Sequence, residues 1–491
     1  MTRLRRFIHP LAILTCALIL SAAPAAQAGP YFALCWGMKE LNKNSDLVDS
    51  PFTNLTMFYY LNEENRGNIA RAKERLDAQP EGRRTIFDWN VNRRLYKHPD
   101  DKIKTASGEA VTAYWWENGQ RDAEEQYEAF FSAYREAGGK LDYFITDLEH
   151  APGSDLKKPE HWEAAAADPR IADILKTVGG ANVEELRKDR TLPWFRMLRY
   201  GNLLMSQRLD RLHAIVRKHF PRVKSSDYSG YYDRFNLPYA WAPAPELGEF
   251  PGSEGSHTGT HQSRNLYGVI TYLGIKDFDG QVFGLGPFRS LVYAVNEMRS
   301  SILSSPVPVM PWIAWRGYQS DFLKSAKPPP VSTFGKTDYW QESVFHAALC
   351  NPAHFLVWSA FRWRADQEAT DWCTTEDLAV IDAVLGQLNG LVGRGERSTL
   401  VKALSGWYDP FILTGMNAGE RSLWRFTPDP AAVKESASSI RSREPLVFSC
   451  GQSTIAIPGG KIVEPPVQLS AAGFWIAAPK NAVPVITPKA R

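Results

Sequence analysis

Residues 141–150 read LDYFITDLEH, a run of apolar and aromatic side chains that ends abruptly in acid. Because side chains alternate between the two faces of a β-strand, we expect Asp147 and Glu149 to project to the same side. Paired carboxylates at the C-terminal end of a barrel strand are typical of enzymes that cleave glycosidic bonds. Two other interpretations stay open, because an Asp and a Glu after a strand can also cap the next loop or hold a cation.

The N-terminal segment has the three parts of a secretory signal. Three arginines among the first six residues precede an apolar stretch over 11–23, and the sequence AQA at 26–28 offers a small-residue cleavage site. We therefore expect residues 1–28 to be removed and the mature protein to be secreted or periplasmic. Lipid attachment at Cys16 is the alternative, although the residues around it match a lipid-attachment sequence poorly.

One of the five cysteines lies in this signal, so four would remain in the mature chain. Export permits disulfide bonds, and four cysteines allow three pairings. Cys350 and Cys373 close the shortest loop, so we predict a bond between them. The cysteine spacings fit no zinc site, and we predict neither a metal nor a cofactor.

The composition limits the partners of this 491-residue chain. Its net charge of +3 is too small to imply nucleic acid or an anionic membrane as a partner. Beyond the signal, no segment reaches the ~20 apolar residues that a membrane span needs. Its 16 tryptophans suit a carbohydrate partner, because sugar rings lie flat on aromatic faces, although large enzymes also bury Trp in their cores. Nothing in the composition specifies an oligomeric state.

Strand and helix patterns alternate from residue 31 to about residue 391. Eight strands interleaved with helices predict an α/β fold, a (β/α)8 TIM-type barrel over residues 29–395 with long insertions after the strands. A doubly wound open sheet is the alternative, and it is disfavoured because no Gly-rich phosphate turn follows an early strand. The predicted strands are 31–36, 55–61, 84–88, 141–147, 223–232, 266–273 or 281–283, 307–315 and 355–358.

The pattern changes after about residue 395, where short β runs follow one another between Gly and Pro turns. Such a pattern predicts a small C-terminal antiparallel β-sandwich over residues 396–491. The predicted runs are 400–403, 411–414, 422–426, 446–450, 454–457 and 473–476.

Three short motifs resemble the hyaluronidase and chitinase-like retaining glycoside hydrolases. These are the Asp-x-Glu of 147–149 on the fourth strand, the Gly-Tyr-Tyr of 230–232 with Phe-Asn at 235–236 after the fifth, and the Val-Trp of 357–358 on the eighth. The chain departs from that family at Leu148, where a Trp is usual. It also lacks the cysteines near the Tyr-Tyr motif, and a C-terminal sandwich is not part of the pattern.

The resemblance implies a mechanism in which the acetamido oxygen of an N-acetylated sugar attacks the glycosidic carbon. Glu149 would then be the general acid and base, and Asp147 would hold the acetamido group in place. Tyr231 or Tyr232 would donate a hydrogen bond to that group, and Trp358 would form the floor under the sugar ring. We therefore expect a secreted glycoside hydrolase that cleaves a polysaccharide or oligosaccharide.

Further residues at strand ends are candidates for substrate contact. Trp36 and Trp312 lie in predicted strands and Trp89 follows one. Each could line a sugar subsite, although core packing explains each of them equally well. Asp88 and Asp227 are the best-placed carboxylates for substrate binding and for a second catalytic group, if the enzyme uses two of its own carboxylates.

A different class of protein also fits the sequence. The chain could be a non-catalytic barrel that binds polysaccharide or cell wall through its aromatic residues. The retention of both Asp147 and Glu149 argues against this interpretation, because a binding protein has no use for an uncompensated buried acid.

Overall fold

The structure of the protein is a computed structural model. The described residues are 33–37, 53–61, 68–77, 84–90, 98–112, 117–147, 158–169, 208–227, 259–261, 265–266, 275–276, 282–283, 288, 291–292, 295, 298–299, 307–314, 336–358, 375–393, 397–399, 409–429, 446–450, 453–463 and 473–488. The predicted signal at 1–28 lies outside them. Among the described helices, none is long and apolar enough to cross a membrane.

Strands and helices alternate in the first half of the chain, as the sequence predicts. The sequence pattern does not predict β4 and β5, which pair as a small antiparallel hairpin. The elements in chain order are β1 (Ala33–Gly37), β2 (Thr53–Leu61), α1 (Ile69–Asp77), β3 (Thr85–Asn90), β4 (Lys102–Lys104), β5 (Ala110–Thr112), α2 (Glu117–Glu136), β6 (Tyr143–Asp147), α3 (Pro159–Ala167), α4 (208–219) and β7 (Lys224–Asp227).

The second half continues the alternation and identifies the sixth strand of the large sheet. β9 and β10 pair only with each other in a separate two-stranded sheet, so the candidate at 281–283 is wrong and β8 takes the sixth place. These elements are β8 (Asn265–Leu266), β9 (Ile275–Lys276), β10 (Val282–Phe283), β11 (Trp312–Ala314), α5 (Lys336–Leu349), β12 (Phe355–Trp358) and α6 (Thr375–Val392).

Eight strands form one parallel sheet in the order β7-β6-β3-β2-β1-β12-β11-β8. Read along the sheet, this order follows the chain from β1 to β7 on one side and from β12 back to β8 on the other. The first strand of the chain therefore lies beside the last, with Ala33 opposite Phe355. Such an arrangement leaves β7 and β8 at the two ends of the sheet.

The sheet is strongly curved. The backbone amide of His261 donates to the carbonyl of Ser225 in β7 over 3.0 Å, and Asn265 of β8 follows only four residues later. Four residues span at most about 14 Å, whereas seven strand spacings in a flat sheet measure about 33 Å. The ends of the sheet must therefore approach each other.

A second contact gives the same result from inside the sheet. The Nζ of Lys224, at the start of β7, lies 2.7 Å from the Nε2 of His354, just before β12. Five strand spacings separate these strands, or about 24 Å if the sheet were flat. No pair of side chains spans that gap, so the curvature brings the two strands together across the concave face.

Helices cover the convex face of the sheet around β3 and β6. Aromatic side chains of both strands pack between α2 and α4 in a cluster that we call the helix-side cluster. Its central members are Phe87, Trp89, Tyr127, Phe130, Phe131, Tyr134, Phe144, Leu209 and Leu212, all buried. Burial of such large apolar surfaces is the main stabilising term for this half of the fold.

The start of α2 depends on a residue distant in sequence. The carboxylate of Asp101 accepts hydrogen bonds from the backbone amides of Asn118 and Gly119, over 3.1 and 2.9 Å, and thereby caps the first turn. The sequence pattern predicts a helix over 124–137 that a pair of glycines, Gly138 and Gly139, brings to an end. The observed helix α2 begins at Glu117, seven residues earlier than this pattern indicates. Its end agrees with the expected glycine stop, because Gly138 has a φ of +78°.

The C-terminal part is antiparallel throughout the described residues. A five-stranded sheet has the order β13-β14-β15-β19-β18, and a three-stranded sheet has the order β16-β17-β20. The sequence pattern did not predict β13, β18 or β20, and the predicted run at 400–403 lies outside the described residues. The strands are β13 (Arg397–Thr399), β14 (Phe411–Ala418), β15 (Arg421–Pro428), β16 (Leu446–Cys450), β17 (Ser453–Ile457), β18 (Lys461–Val463), β19 (Phe474–Pro479) and β20 (Val485–Pro488).

The five-stranded sheet is covered on both faces. On one face Phe426 and Ile476 share an apolar cluster with Phe448 and Ile455 of the smaller sheet. On the other face, side chains such as Trp475 pack against α5 and α6. Every residue of β14 is accordingly buried.

Charged and polar side chains also cross the contact between α5 and this sheet, in a group that we call the junction cluster. Glu342 of α5 and Arg425 of β15 form an ion pair, with Arg425 Nε 3.0 Å from Glu342 Oε2, and both are almost fully buried. Thr427 donates to the same carboxylate, and His346 bonds to Thr414 and Thr427 over 3.0 and 2.8 Å. Burial would raise the pKa of Glu342, but Arg425 brings that pKa below its usual value.

The predicted disulfide bond is not formed. Cys350, directly after α5, is a buried thiol that forms no disulfide bond, and the same holds for Cys450 in β16. Burial raises the pKa of Cys350 to about 12, so its thiol stays protonated and unreactive. The other member of the predicted pair, Cys373, lies outside the described residues.

Candidate active site

Asp147 is the last residue of β6, at the carboxyl end of a parallel strand. The register with β3 places Asn90 opposite Asp147 and Asp88 opposite Ile145. Since all eight strands run in the same direction, positions 88, 90 and 147 lie at the same edge of the sheet. We call it the carboxyl edge.

The face on which position 147 lies follows from its neighbours in β6. Phe144 belongs to the helix-side cluster, and the Oγ1 of Thr146 lies 2.6 Å from the Nε2 of His213 in α4. Alternation then puts Ile145 and position 147 on the opposite, concave face. Asp147 therefore occupies an inward position at the carboxyl edge, as the sequence predicts for this residue.

Asp88 shares that face. Phe87 and Trp89, the residues on either side of it, both belong to the helix-side cluster. Position 88 must therefore lie on the concave face of β3, next to β6 and two residues lower in register than Asp147. Two of the predicted acidic residues are thus neighbours on adjacent strands.

Trp36 and Trp358 are brought to the same edge. Cys35 of β1 pairs with Val357 of β12, and Val357 belongs to the core that packs on the helices. The next residue of each strand, Trp36 or Trp358, therefore takes the concave face near its carboxyl end. Aromatic and acidic positions meet there, a combination suited to a sugar ring.

The prediction that Trp89 contacts substrate is wrong for this structure. Its side chain is only 1% exposed and lies on the helix side of β3. Its ring centroid is 4.2 Å from that of Tyr127 and 5.4 Å from that of Phe130. Trp89 is a core residue, which is the alternative that the sequence left open.

Asp227 is also misplaced for the role expected of it. The register pairs it with Thr146, whose side chain contacts His213 on the helix side. Ser225, two residues earlier in β7, accepts a hydrogen bond from Arg217 of α4 over 3.3 Å. Position 227 therefore lies on the convex face, away from position 147.

Trp312 lies on the concave face but is enclosed. It pairs with Leu356, whereas its neighbour Ile313 packs on the helices. Its side chain is 2% exposed, and Leu356 precedes Trp358 by two residues, so Trp312 lies deeper in the sheet than the carboxyl edge. It packs the interior in this structure, and the predicted sugar contact is not available to it.

Three of the predicted site residues lie outside the described part of the chain, namely Glu149, Tyr231 and Tyr232. Their roles stay predictions. Glu149 follows Asp147 by two residues. If the strand continues to residue 149, alternation predicts that Glu149 also lies on the concave face.

The sequence pattern did not predict the contact between Thr146 of β6 and His213 of α4 on the convex face of the sheet. His213 is fully buried, and burial lowers its pKa to about 3, so the ring is neutral where it meets Thr146. Gly259 packs against it with a φ of +79°, and a Cβ there would lie 2.4 Å from the Nδ1 of His213. The only signal in the sequence is the Gly-rich stretch around Gly259, where a glycine permits this close approach.

Potential metal ligands come together once within the described residues, in Glu109, Glu160 and His161, whose ligand atoms lie within 4.8 Å of one another. The ammonium of Lys158 lies 2.8 Å from Glu109 and 3.7 Å from Glu160. That ammonium already supplies the positive charge that the two carboxylates attract, so we assign no metal to the group.

Comparisons with known proteins give no family, because no family model matches the chain. A UPF0313 protein of Pseudomonas aeruginosa is 23% identical over 249 residues, which cover 45% of this chain and 33% of that protein. A UPF0313 protein of Pseudomonas putida is 22% identical over 222 residues, or 41% of this chain and 28% of that protein. The chain thus spans a third or less of the length of these relatives.

Among solved structures, the chain is similar to a GH30 endoxylanase from Clostridium papyrosolvens, with a TM-score of 0.36 at 9% identity over 96% of this chain and 98% of the other. Fungal β-1,4-galactanases give a TM-score of 0.36 at 11% identity, over 74% of this chain and 100% of the other. Both are glycoside hydrolases, and neither is described as a hyaluronidase or chitinase, so that narrower resemblance gains no support. These TM-scores are too low to carry an argument about activity.

Proposed function

We propose that the eight parallel strands close into a (β/α)8 barrel. The cyclic strand order, with β1 beside β12, is the order that a barrel of eight successive βα units has. The hydrogen bond from His261, four residues before β8, to Ser225 of β7 and the contact between Lys224 and His354 across the concave face support closure between β7 and β8.

The C-terminal sheets extend this proposal to the whole chain. Their shared apolar cluster supports a β-sandwich over residues 396–491, attached to a barrel over 29–395. The junction cluster supports a sandwich that is fixed to the barrel rather than tethered by a linker, because breaking the contact would leave Glu342 buried without its partner.

The function that this arrangement supports best is glycoside hydrolysis by a secreted protein. The observation that carries it is the position of Asp147 on the concave face of the carboxyl edge, next to Asp88 and on the face of Trp36 and Trp358. Barrel enzymes build their active sites at this edge, and a pair of carboxylates is what glycosidic cleavage requires.

In the proposed reaction Glu149 donates a proton to the glycosidic oxygen as the bond to the anomeric carbon breaks. Asp147 holds the acetamido group of an N-acetylated sugar, whose oxygen attacks that carbon and forms a cyclic intermediate. Glu149 then removes a proton from the water that opens this intermediate. Tyr231 or Tyr232 donates a hydrogen bond to the acetamido group, and Trp358 supports the ring.

One observation also favours a mechanism with two enzyme carboxylates. Position 88 lies on the strand next to position 147, two residues lower in register and on the same face. A carboxylate there is placed to act on the sugar from a second direction, as the base or nucleophile of an enzyme that does not rely on an acetamido group. The choice between the two mechanisms is a choice of substrate class, because only the first requires an N-acetylated sugar.

The direct test is the release of reducing ends from a panel of N-acetylated and non-acetylated glycans. We expect turnover on at least one glycan and its loss in Asp147→Asn, with Glu125→Gln on the exposed face of α2 as the control. Binding without release of reducing ends by the unmodified protein would instead identify the polysaccharide-binding alternative. If the unmodified protein cleaves a non-acetylated glycan and Asp88→Asn does not, the two-carboxylate mechanism is identified.

Export is tested separately. Expression of the full chain in a Gram-negative host and mass spectrometry of the periplasmic and secreted fractions should show a mature N-terminus near Gly29, after loss of ~28 residues. Recovery of the protein only in the cytosol, with residues 1–28 intact, would contradict the proposed location.

A further inference from the structure

The opposite edge of the large sheet, where the strands begin, holds a group of basic and phenolic side chains. Tyr143 and Lys224 are the first residues of β6 and β7, and they are opposite each other in register. The Nζ of Lys224 lies 3.4 Å from the phenol oxygen of Tyr143 and 2.7 Å from the Nε2 of His354. Three strand starts thus converge on one point of the concave face.

His261 completes the group, which we call the amino-edge cluster: Tyr143, Lys224, His261 and His354. The Nδ1 of His261 bonds to Thr260 over 2.9 Å, and Thr260 in turn pairs with Ser225 beside Lys224. Lys224, His261 and His354 are partly exposed, whereas Tyr143 is buried. The cluster is therefore a polar recess that solvent reaches.

Positive charge in the recess exceeds negative charge. The nearest carboxylate that influences Lys224 is Asp142, and both of its oxygens are already engaged, by the backbone amide of Thr85 over 2.8 Å and by Arg84 over 3.5 Å. No ion pair joins Lys224 to any carboxylate of the described residues. Burial, followed by the nearby charge of Arg84, lowers the pKa of Lys224.

Burial and the nearby positive charges also lower the pKa values of the two histidines. Burial, followed by the positive charges of Lys224, His261, Arg84 and Arg397, lowers the pKa of His354 to about 2. Burial and Lys224 lower the pKa of His261 to about 4. Among the described residues, the Lys224 ammonium therefore has uncharged hydrogen-bonding neighbours and arginines near it, but no counter-ion of its own.

We propose that the amino-edge cluster binds a small oxyanion, with the Lys224 ammonium as its charged ligand and the Tyr143 hydroxyl and the His261 N–H group as additional donors. Donors of three kinds that converge from separate strands suit an anion with several oxygens, such as a phosphate group. The proposal depends only on contacts at the amino edge and is independent of the proposed hydrolase activity at the carboxyl edge.

Inorganic phosphate is the probe for the first measurement. At constant ionic strength, replacement of sodium chloride by sodium phosphate should raise the thermal midpoint of unfolding with a saturable dependence on concentration. Lys224→Met should lower the affinity for phosphate at least about tenfold, because it removes the ammonium that is the proposed charged ligand. Lys140→Met, the same change at an exposed lysine, is the control and should keep the wild-type response.

A second variant keeps the test decisive if Lys224→Met does not fold. Tyr143→Phe removes one hydroxyl and keeps the ring, so it should fold and should bind phosphate several-fold more weakly by titration calorimetry. Glycerol phosphate, compared with inorganic phosphate, shows whether the natural ligand is a free ion or a phosphate ester. A wild-type midpoint that does not rise with phosphate, or an equal rise in wild-type, Lys224→Met and Tyr143→Phe proteins, would overturn the proposal.

Discussion

At the junction between α5 and the C-terminal sheet, the buried carboxylate of Glu342 and the guanidinium of Arg425 neutralise each other, and the Thr427 hydroxyl donates to the same carboxylate. At the amino edge of the large sheet, the Lys224 ammonium has uncharged contacts, Tyr143 and His354. The first arrangement is closed, because its charges have partners within the chain. The second is open, and a ligand from solution can complete it. Burial of charge therefore indicates an architectural contact in one region and a binding site in the other.

The largest effect should follow from breaking the closed pair. Arg425→Met leaves the Glu342 carboxylate buried without a counter-charge, which typically costs about 3–5 kcal/mol of unfolding free energy. Denaturant unfolding of the whole protein, with the exposed Arg121→Met as the control, measures this loss. Adding Glu342→Gln to Arg425→Met should recover part of it, because the buried charge is then gone. A double variant as unstable as the sum of the two single variants would show that the pair acts independently.

A smaller effect should come from a buried group outside both clusters. His213 has a pKa near 3 in the folded protein, mainly because it is buried, against about 6.5 when unfolded. Between these two pH values the unfolded chain binds a proton at His213 and the folded chain does not. The unfolding free energy therefore decreases as the pH is lowered below about 6.5, by about 1.4 kcal/mol per pH unit for this residue. His213→Gln should flatten the dependence between pH 6.5 and 4 by that amount. An unchanged slope would show that His213 is protonated in the folded protein.

The smallest effect should come from removing the unpaired charge. Lys224→Met eliminates an ammonium that burial disfavours, so in a buffer without oxyanions its unfolding free energy should stay within about 1 kcal/mol of the wild type. The contrast with Arg425→Met is the point of this measurement. A loss as large as that of Arg425→Met would mean that Lys224 is paired as tightly as the junction cluster.

Much of the fold follows from local patterns in the sequence. The run at 141–147 and the strand Phe355–Trp358 were predicted close to their observed bounds, because apolar runs that end in polar or aromatic residues are strong strand signals. Features set by distant residues were not predictable. The start of α2 depends on Asp101, and Glu342 meets Arg425 across 83 residues of sequence.

The site was predicted in part for the same reason. Residue type and position along a strand singled out Asp147, Asp88, Trp36 and Trp358; the register brings these four positions to one face of the carboxyl edge, and their roles stay predictions. The strand face on which Trp89 lies could not be read from its own segment. It depends on which side the aromatic residues of α2 cover, and this is a tertiary contact. The position of Asp227 was misjudged for an equivalent reason, the contact between Thr146 and His213.

The central claim, that the carboxyl edge cleaves glycosidic bonds with Glu149 as the acid, is tested most directly by the leaving-group dependence of Glu149→Gln. On a natural glycan the variant should lose at least ~10²–10⁴-fold in kcat/KM, since it cannot protonate the departing oxygen. On an aryl glycoside whose leaving group needs little protonation the loss should be much smaller, and Glu125→Gln should match the wild type on both substrates. Near-normal turnover of the natural glycan by Glu149→Gln would contradict the account.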